Sequence, residues 1–423
     1  MVRKLKSHTA QADRGVISLE SCSMSRELGL FTDCPSLVLP STTTRRTLPR
    51  RVSSLAPPRN LKRHMQVRSS QSMATAGSQR VDMQKKMEFL REDLTHLFDD
   101  QGINQSAYDD KVNFEDPITR YSTVKGYMFN ISMLRRVFAP TFQLHDIKQT
   151  SEFDITTRWT MIMQLALNKY NPFRKWWDPQ LLFTGTSIMS VNPSTGRFNS
   201  HVDTWDAVQN QKYLSLEAVR HLVGQLATLS RAPQLESPPY TVLKKPDGYE
   251  VRKYNSFLVA ETSMAEDASS PAGSSGRQGS SGGSSPAGNG TSAFMSLAGY
   301  IFGKNDRQEK MAMTMPVFSN SSGRMQLFMG HNKERASLPT PSDSEVHFVE
   351  MPGGFYAVRS FSGKAGEEDA QKQLQVLHQK IARDKLQATP DKWTLARYND
   401  PSTKGPFRLN EVLVEVVNFD LWG

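Results

Sequence analysis

The segment KMAMTMPVF, residues 310–318, carries methionines at every second position: Met311, Met313 and Met315. Thioether sulfur is a ligand for soft metals such as copper and for some iron centres, so this spacing could build a metal site. Alternatively, the sulfurs form the inner face of a β-strand, because alternate residues of a strand point to the same side. The small residues Ala312 and Thr314 between the methionines favour this second interpretation. We therefore expect a buried strand face, interrupted at Pro316, and no metal ligand.

A histidine and an aspartate share one face of another predicted strand, HVDTWD, in which His201, Asp203 and Trp205 alternate. Inside a cavity, such a pair could transfer protons as a general acid and base. The simpler interpretation is a hydrogen-bonded polar pair on a partly solvated strand. Because no second motif supports catalysis, we expect no catalytic residues and no enzymatic activity. An enzyme that uses this cavity to act on a small hydrophobic substrate is the alternative.

The elements that carry the His–Asp pair begin with a predicted amphipathic helix over residues 83–99, where apolar residues recur at helical spacing. A strand with alternating apolar side chains follows at residues 153–163. The next two strands are joined at NPSTGR, a turn with glycine that predicts a hairpin. A helix followed by a meander of long, curved strands indicates an α+β fold, shaped like a cone around a cavity.

The C-terminal half contains a weak internal repeat. PDGYEVRKY (246–254) recurs as PGGFYAVRSF (352–361) with one residue inserted, and each copy is followed by a predicted helix, at residues 292–302 and 366–386. The second helix begins with acidic residues and ends with basic ones, which suits the helix dipole. Such a duplication predicts a pseudo-symmetric barrel or a pair of sheets. The Gly-rich and Ser-rich residues 266–291 form an insertion that we expect to be disordered.

The net charge of +10 suggests a nucleic-acid partner until the charge is located. Residues 1–78 hold 13 Lys and Arg against 4 Asp and Glu, whereas the remaining residues hold 39 against 38. This basic, Ser-rich and Thr-rich leader is typical of an organelle transit peptide, with a disordered basic tail as the alternative. Both cysteines, Cys22 and Cys34, lie within it, which leaves no thiol for disulfides or clusters after processing. We expect no nucleic-acid partner and, since no apolar run reaches 18 residues, no transmembrane segment.

Two regions resemble known families. Between residues 79 and 231, the stretches YDDKVNFEDPITRYSTVKGY, FTGTS and HVDTWD resemble the nuclear-transport-factor-2-like domain of plant and algal plastid proteins. That superfamily includes enzymes and proteins that only bind or dimerise, so the fold alone does not indicate the function. The resemblance leaves open a homodimer formed through this domain.

Between residues 236 and 420, five motifs resemble, in order, those of the SOUL haem-binding protein family: YEVRKY, YIFGKNDRQEKMAMTMPV, HFVEMPGGFYAVRSFSG, LARYNDP and RLNEVLVEV. The resemblance implies a distorted antiparallel β-barrel of two similar halves, flanked by two helices. It also implies noncovalent binding of haem or a related tetrapyrrole. Both domains together with the leader are similar to the plastid branch of that family, which implies a location in the chloroplast.

The SOUL resemblance also implies where the tetrapyrrole binds. Family members without a strong axial bond use a shallow hydrophobic cleft with basic side chains near the propionates. Carried over to this sequence, the cleft lies on the short helix and consists of Met295, Ala298, Ile301 and Phe302. Lys304 and Arg408 are expected to bind the propionates, and Phe407 to cover a ring edge. A helix that only caps the barrel would explain Ile301 and Phe302 equally well.

Histidine is the usual axial ligand of haem iron. The C-terminal region has His331 at a predicted strand end, His347 within a strand and His378 on the long helix. None lies in or beside the short helix, and no two have a ligand-like arrangement, so we expect no metal ligand from the protein.

The sequence thus predicts a noncovalent haem or tetrapyrrole binding protein of plastids that acts as carrier, buffer or delivery partner. A haem-metabolising enzyme is the expected kind of protein partner. A pure interaction protein without a ligand is a further alternative.

Overall fold

The computed structural model describes residues 81–164, 180–209, 211, 213, 215–228, 231–264, 287–331 and 333–423. The predicted leader, residues 1–78, and residues 266–286 of the predicted insertion lie outside this part of the chain. The helices are α1 (Met83–Asp93), α2 (Val124–Val137), α3 (Leu216–Leu226), α4 (Ala287–Ile301) and α5 (Glu367–Arg383). The strands are β1 (Tyr108–Glu115), β2 (Arg120–Tyr121), β3 (Thr141–Gln149), β4 (Asp154–Gln164), β5 (Gln180–Val191), β6 (Phe198–Trp205), β7 (Tyr240–Lys244), β8 (Glu250–Tyr254), β9 (Phe257–Ser263), β10 (Val317–Asn320), β11 (Arg324–Phe328), β12 (His347–Met351), β13 (Gly354–Phe361), β14 (Gln387–Arg397) and β15 (Asn410–Val417). Within the described ranges, no helix combines the length and the apolar character needed to cross a membrane.

The first domain places α1 and α2 against a six-stranded sheet of order β2-β1-β6-β5-β4-β3. All neighbouring strands are antiparallel except β1 and β6. β5 and β6 form the predicted hairpin, and Gly196 in its turn has a φ of 67°, which glycine adopts without strain. α1 is capped by Asp82, whose carboxylate accepts a hydrogen bond from the Lys85 amide, and it ends six residues before the predicted boundary at 99.

The second domain is a curled, nine-stranded antiparallel sheet of order β12-β9-β11-β10-β14-β15-β13-β8-β7. The edge strands β7 and β12 do not pair with each other, so the sheet forms a half-barrel rather than a closed barrel. α4 packs on β9 and β11, and α5 packs on β13, β14 and β15. Each helix therefore covers a separate apolar core, and both cores lie on the same side of the sheet.

The two copies of the internal repeat form the adjacent strands β8 and β13. Val251 and Ala357 pair with each other and lie in the core under α5. The Val-Arg pairs of the two copies are nevertheless out of phase, because the inserted residue reverses the side to which each later residue points. Arg252 faces the side of the sheet opposite α5, where it reaches Glu411, whereas Arg359 reaches Gln373 on α5.

α4 begins at Ala287, five residues before the start predicted for the short helix. Residues 287–291 are therefore helical, and the prediction that they belong to the disordered insertion is wrong. The insertion ends at the helix because the residues that follow, SAFMSLAGYI, supply an apolar face that packs on the sheet.

The Pro-containing segment between the domains is packed rather than a free tether. Its Glu236 carbonyl accepts a 2.8 Å hydrogen bond from the Met315 amide. β7, which follows it, covers the outer face of the first domain's sheet: Thr160 Oγ1 donates to the Val242 carbonyl at 2.6 Å, and Arg158 Nη2 donates to the Leu243 carbonyl at 2.9 Å. β4 is therefore buried on both faces along most of its length.

Candidate functional site

The predicted tetrapyrrole surface lies on α4, which presents one side to the sheet and the other to solvent. Tyr300 and Ile301 are buried in the core of the half-barrel. Met295 and Phe302, seven residues apart and thus on one side of the helix, are 61% and 58% exposed. Half-buried Ala298 lies between them in sequence. We call the surface formed by Met295, Ala298 and Phe302 the α4 face.

The other predicted residues of this helix take different positions. Ile301 is part of the core, so it holds the helix in place and does not itself offer contact area to a ligand. Lys304 is exposed just after the helix, where its amide donates to the Gly299 carbonyl at 2.9 Å. A Cβ built on Gly299 would lie 2.9 Å from Lys304 Cδ. The absent side chain at this position therefore lets the stem of Lys304 lie against α4.

The predicted residues Phe407 and Arg408 lie in the loop between β14 and β15. Phe407 is partly exposed, as expected for a residue that covers a ligand edge. The Arg408 guanidinium, however, donates to the carbonyl oxygens of Thr403, at 2.7 Å, and of Pro401. It is thus engaged within its own loop, and Lys304 is the more available of the two expected propionate ligands.

The methionine row is not a strand face, and the prediction that its members share one buried side is wrong. The ladder starts only at Val317, and the preceding residues are irregular. Met315 is 6% exposed and Met313 is 43% exposed, while the buried Thr314 between them donates to the Phe328 carbonyl. Local contacts of the backbone, not strand alternation, set these directions: the Met315 amide is held by the Glu236 carbonyl.

A cleft of about 600 Å³ opens at the end of β11, beside β9 and β12. Its apolar lining consists of Phe257, Leu258, Phe328 and Phe348, and its polar rim includes His331. We call it the strand-end cleft. No residue of the α4 face lines it.

The predicted His–Asp pair of the first domain is part of a chain of hydrogen bonds. His201 Nε2 lies 2.9 Å from Asp203 Oδ1, and His201 Nδ1 lies 2.9 Å from the Tyr127 hydroxyl. Ser187 donates to the same Asp203 oxygen at 2.5 Å and accepts from Trp159 Nε1 at 2.8 Å. Both imidazole nitrogens are thus occupied, which favours the interpretation of a satisfied polar network.

The cavity beside this network has a volume of about 60 Å³, well below the roughly 300 Å³ at which ordinary ligand pockets begin. Asp116 also lines it, and sequence reasoning missed this residue. Burial raises the pKa of the Asp116 carboxyl to about 6, and the nearby Asp203 charge adds to this rise. Hydrogen bonds from Thr119 and Ile118 lower the pKa but do not offset the effect of burial. The Asp-Pro dipeptide that starts this turn was the available signal.

Sequence reasoning also missed a buried ion pair on the side of the sheet opposite α5. The Arg252 guanidinium binds the Glu411 carboxylate with two hydrogen bonds of 2.9 and 2.7 Å, and it binds Glu250 at 2.8 Å. Burial by itself would raise the pKa of Glu250, but Lys245 and Arg252 lower it to about 2. These groups satisfy one another, so they stabilise the sheet rather than offer a site.

Residues 235–415 match the family model described as SOUL heme-binding protein, and residues 84–201 match an uncharacterized conserved protein family, DUF2358. Heme-binding protein 2 of the mouse, Mus musculus, is 32% identical over 94 residues, which are 20% of this chain and 45% of that protein. This chain thus spans less than half the length of that curated relative.

Among solved structures, an NTF2-like protein of unknown function from Exiguobacterium sp. 255-15 is 14% identical with a TM-score of 0.22, over 30% of this chain and 98% of that chain. An LEH-like epoxide hydrolase from M. tuberculosis is 12% identical with a TM-score of 0.25, over 34% of this chain and 95% of that chain. At such low identity and TM-score, the activity of these proteins cannot be assigned to this chain. The C-terminal half of the chain is a domain of the SOUL heme-binding family, and it follows a domain that has NTF2-like structural neighbours.

Proposed function

We propose that this chain binds haem or a related tetrapyrrole noncovalently through its SOUL domain, with the macrocycle against the α4 face. The observation that carries the proposal is that the fold leaves Met295 and Phe302 more than half exposed on one side of α4. Large apolar side chains exposed together on a folded domain are typical of a binding surface. A flat macrocycle would cover both, and Lys304 at the end of the helix would bind a propionate.

The proposed role is that of a carrier, a buffer or a delivery partner, for example for a haem-metabolising enzyme, without a catalytic step. Two features support this role. The α4 face consists of Met, Ala and Phe, which offer no group that transfers protons. In the first domain, His201 and Asp203 are held by Tyr127 and Ser187 beside a cavity that is too small for most substrates.

We place the protein in plastids because of the composition of residues 1–78, which are basic and rich in Ser and Thr. Fusion of residues 1–80 to a fluorescent reporter is expected to direct the reporter into plastids. A reporter that stays in the cytosol or is secreted would refute the location but not the ligand.

The α4 face is tested with metal-free protoporphyrin, which cannot form an axial bond and whose fluorescence reports binding. Phe302→Glu and Met295→Glu are each expected to weaken its affinity at least tenfold, about 1.4 kcal/mol, because a carboxylate would lie against the apolar ring. The matched control is Phe129→Glu, since Phe129 is a helical phenylalanine of the first domain with 62% exposure. Equal affinities of all four proteins, including the wild type, would contradict the proposed surface.

A further inference from the structure

The strand-end cleft is the right size for a ligand and is separate from the α4 face. Its volume of about 600 Å³ falls within the roughly 300–1,000 Å³ of small-molecule sites. Phe348 forms one wall, and its ring packs edge-on against Tyr300, with the centroids 5.6 Å apart. Because Tyr300 lies on the buried side of α4, this contact joins the wall of the cleft to the apolar core under the helix.

His331 stands at the rim of the cleft in a fixed position with an available imidazole. Its amide donates to the Glu236 carboxylate, and its ring packs edge-on against Phe328, with the centroids 5.5 Å apart. The nearest carboxylate oxygen to Nε2 is that of Glu236, at 3.9 Å, which is beyond hydrogen-bond distance. Among the described residues, neither ring nitrogen therefore has a hydrogen-bond partner, and the ring is 44% exposed.

The backbone conformation of Gly330 helps to fix the position of His331. Gly330 has a φ of 99°, a conformation that is strained for any other residue. A Cβ at Gly330 would also lie 3.2 Å from the Glu236 carboxylate that holds the histidine amide. The turn thus fixes the imidazole at the rim, as a ligating group requires.

The charges at the rim suit a ligand with carboxylates. Lys333 and Arg335 line the cleft, and neither has an ion-pair partner among the described residues. Glu334, which stands between these cations in the chain, and Glu350 line the cleft as well, so an anionic group would bind through Lys333 and Arg335. An apolar floor, one free imidazole and two cations match a metal-containing macrocycle with propionates.

We infer that the strand-end cleft is a second tetrapyrrole site, selective for the metallated macrocycle, in which His331 ligates the metal and Lys333 and Arg335 bind the propionates. The neutral imidazole donates a lone pair to the metal, and no electron or proton changes hands. This inference rests on the proposed function and adds to it, because the α4 face contains no imidazole. The two sites therefore differ in whether the protein supplies an axial ligand.

The test is a titration of the whole chain with ferric haem, followed by Soret absorption for stoichiometry and by electron paramagnetic resonance for imidazole ligation. The wild type is expected to bind two equivalents, one of them with an imidazole ligand. His331→Ala should lose that equivalent and its signal. Lys333→Glu with Arg335→Glu should weaken it at least tenfold, with unchanged binding of metal-free protoporphyrin to the α4 face.

The control is His347→Ala, since the His347 side chain is 46% exposed in the same domain but does not line the cleft. It should bind haem as the wild type does, and melting curves of all variants should coincide. Equal losses in His331→Ala and His347→Ala would mean that exposed histidines bind haem indiscriminately, and this would overturn the inference. One equivalent that does not depend on His331 would also overturn it but leave the proposed function intact. Saturable binding of neither haem nor protoporphyrin would refute the proposed function itself.

Discussion

Met313 and Met315 of the methionine row occupy different environments, which has a direct consequence for stability. Met315→Ala is expected to lower the free energy of unfolding by about 2–5 kcal/mol, because it leaves a cavity in the core. Met313→Ala should change it by no more than about 0.5 kcal/mol, because the side chain is largely solvated. Urea unfolding of both variants measures the difference. Haem spectra that change in either variant would instead indicate a sulfur ligand.

The raised pKa of Asp116 leads us to expect a specific dependence of stability on pH. Its pKa in the folded protein, about 6, lies above the value of 3.8 for an unperturbed aspartate. The folded state thus holds the proton more tightly, so the contribution of this group is full below pH 3.8 and is lost as the pH rises through 6. Asp116→Asn should lack this loss while retaining the turn, since an amide oxygen can accept the Ile118 and Thr119 amides.

Melting temperatures of both proteins between pH 4 and pH 7 test this point. The difference between wild type and Asp116→Asn should grow in favour of the variant as the pH rises. A difference that is constant over this range would show that the carboxyl group is not perturbed.

Some single residues could not be placed from the sequence. Arg252 and Glu411 form the buried ion pair although they are 159 positions apart, and nothing in the local pattern marks either as buried. His331 was recognised as a histidine at a strand end, but its position depends on Glu236, 95 positions earlier, whose carboxylate accepts from the His331 amide. Pairings over such distances follow from sheet topology, which periodicity does not report.

Among the helices and strands, local sequence patterns predict those features that depend only on residues close together in the chain. The β5–β6 hairpin, the long helix α5 and the repeat are present as expected, because turn glycine, helix charges and alternation are local signals. The alternation of apolar residues predicted that one face of β4 is buried, but both faces are buried. Its outer face is covered by β7, an element of the other domain, and alternation within one strand cannot show this.

The coverage by β7 also restricts how the first domain can form a homodimer. The outer face of its sheet is occupied by the same chain, so a second copy needs another apolar surface. α3 provides one: Leu216, Val219 and Val223 recur at helical spacing, with 83%, 39% and 56% exposure. We propose that two copies meet through this row, since a two-fold axis lets the same apolar row on both copies face itself.

Leu216→Glu combined with Val223→Glu is therefore expected to convert a dimer to a monomer, as measured by light scattering after gel filtration. Phe129→Glu, on another helix of the domain, should leave the dimer intact. A wild-type chain that is monomeric at micromolar concentration would exclude this interface.

At the level of the whole molecule, we expect the junction between the two domains to weaken in acid. Burial and the nearby Arg158 guanidinium lower the pKa of His145 to about 4. His145 Nε2 lies 2.8 Å from Thr160 Oγ1, which donates to the Val242 carbonyl of β7. Because the pKa in the folded protein is depressed, the contribution of the neutral ring is present above pH 6.5 and is lost as the pH falls from 6.5 towards 4.

The wild type should thus lose more stability between pH 7 and pH 5 than His145→Gln, whose amide can still donate to Thr160. Chemical unfolding at the two pH values measures the effect. An equal loss in both proteins would show that the junction does not depend on this histidine.

The fold class and the SOUL domain were accessible from the sequence, whereas the strand-end cleft was not. Five ordered motifs indicated the SOUL domain, and a match over residues 235–415 confirms it. The cleft is built from four separate segments, near residues 239, 256, 331 and 349, that meet only after β9, β11 and β12 have paired. No single stretch of sequence carries the signal of such a site.

Binding of a tetrapyrrole by the SOUL domain is best tested by hydrogen–deuterium exchange with metal-free protoporphyrin, because this measurement shows which segment the ligand covers. We expect slower exchange in residues 291–304, which contain the α4 face and Lys304, and unchanged exchange in residues 81–228. The same experiment on Phe302→Glu should show no protection at equal ligand concentration. Protection confined to the first domain, or none anywhere in the wild type at saturating ligand, would contradict binding by the SOUL domain.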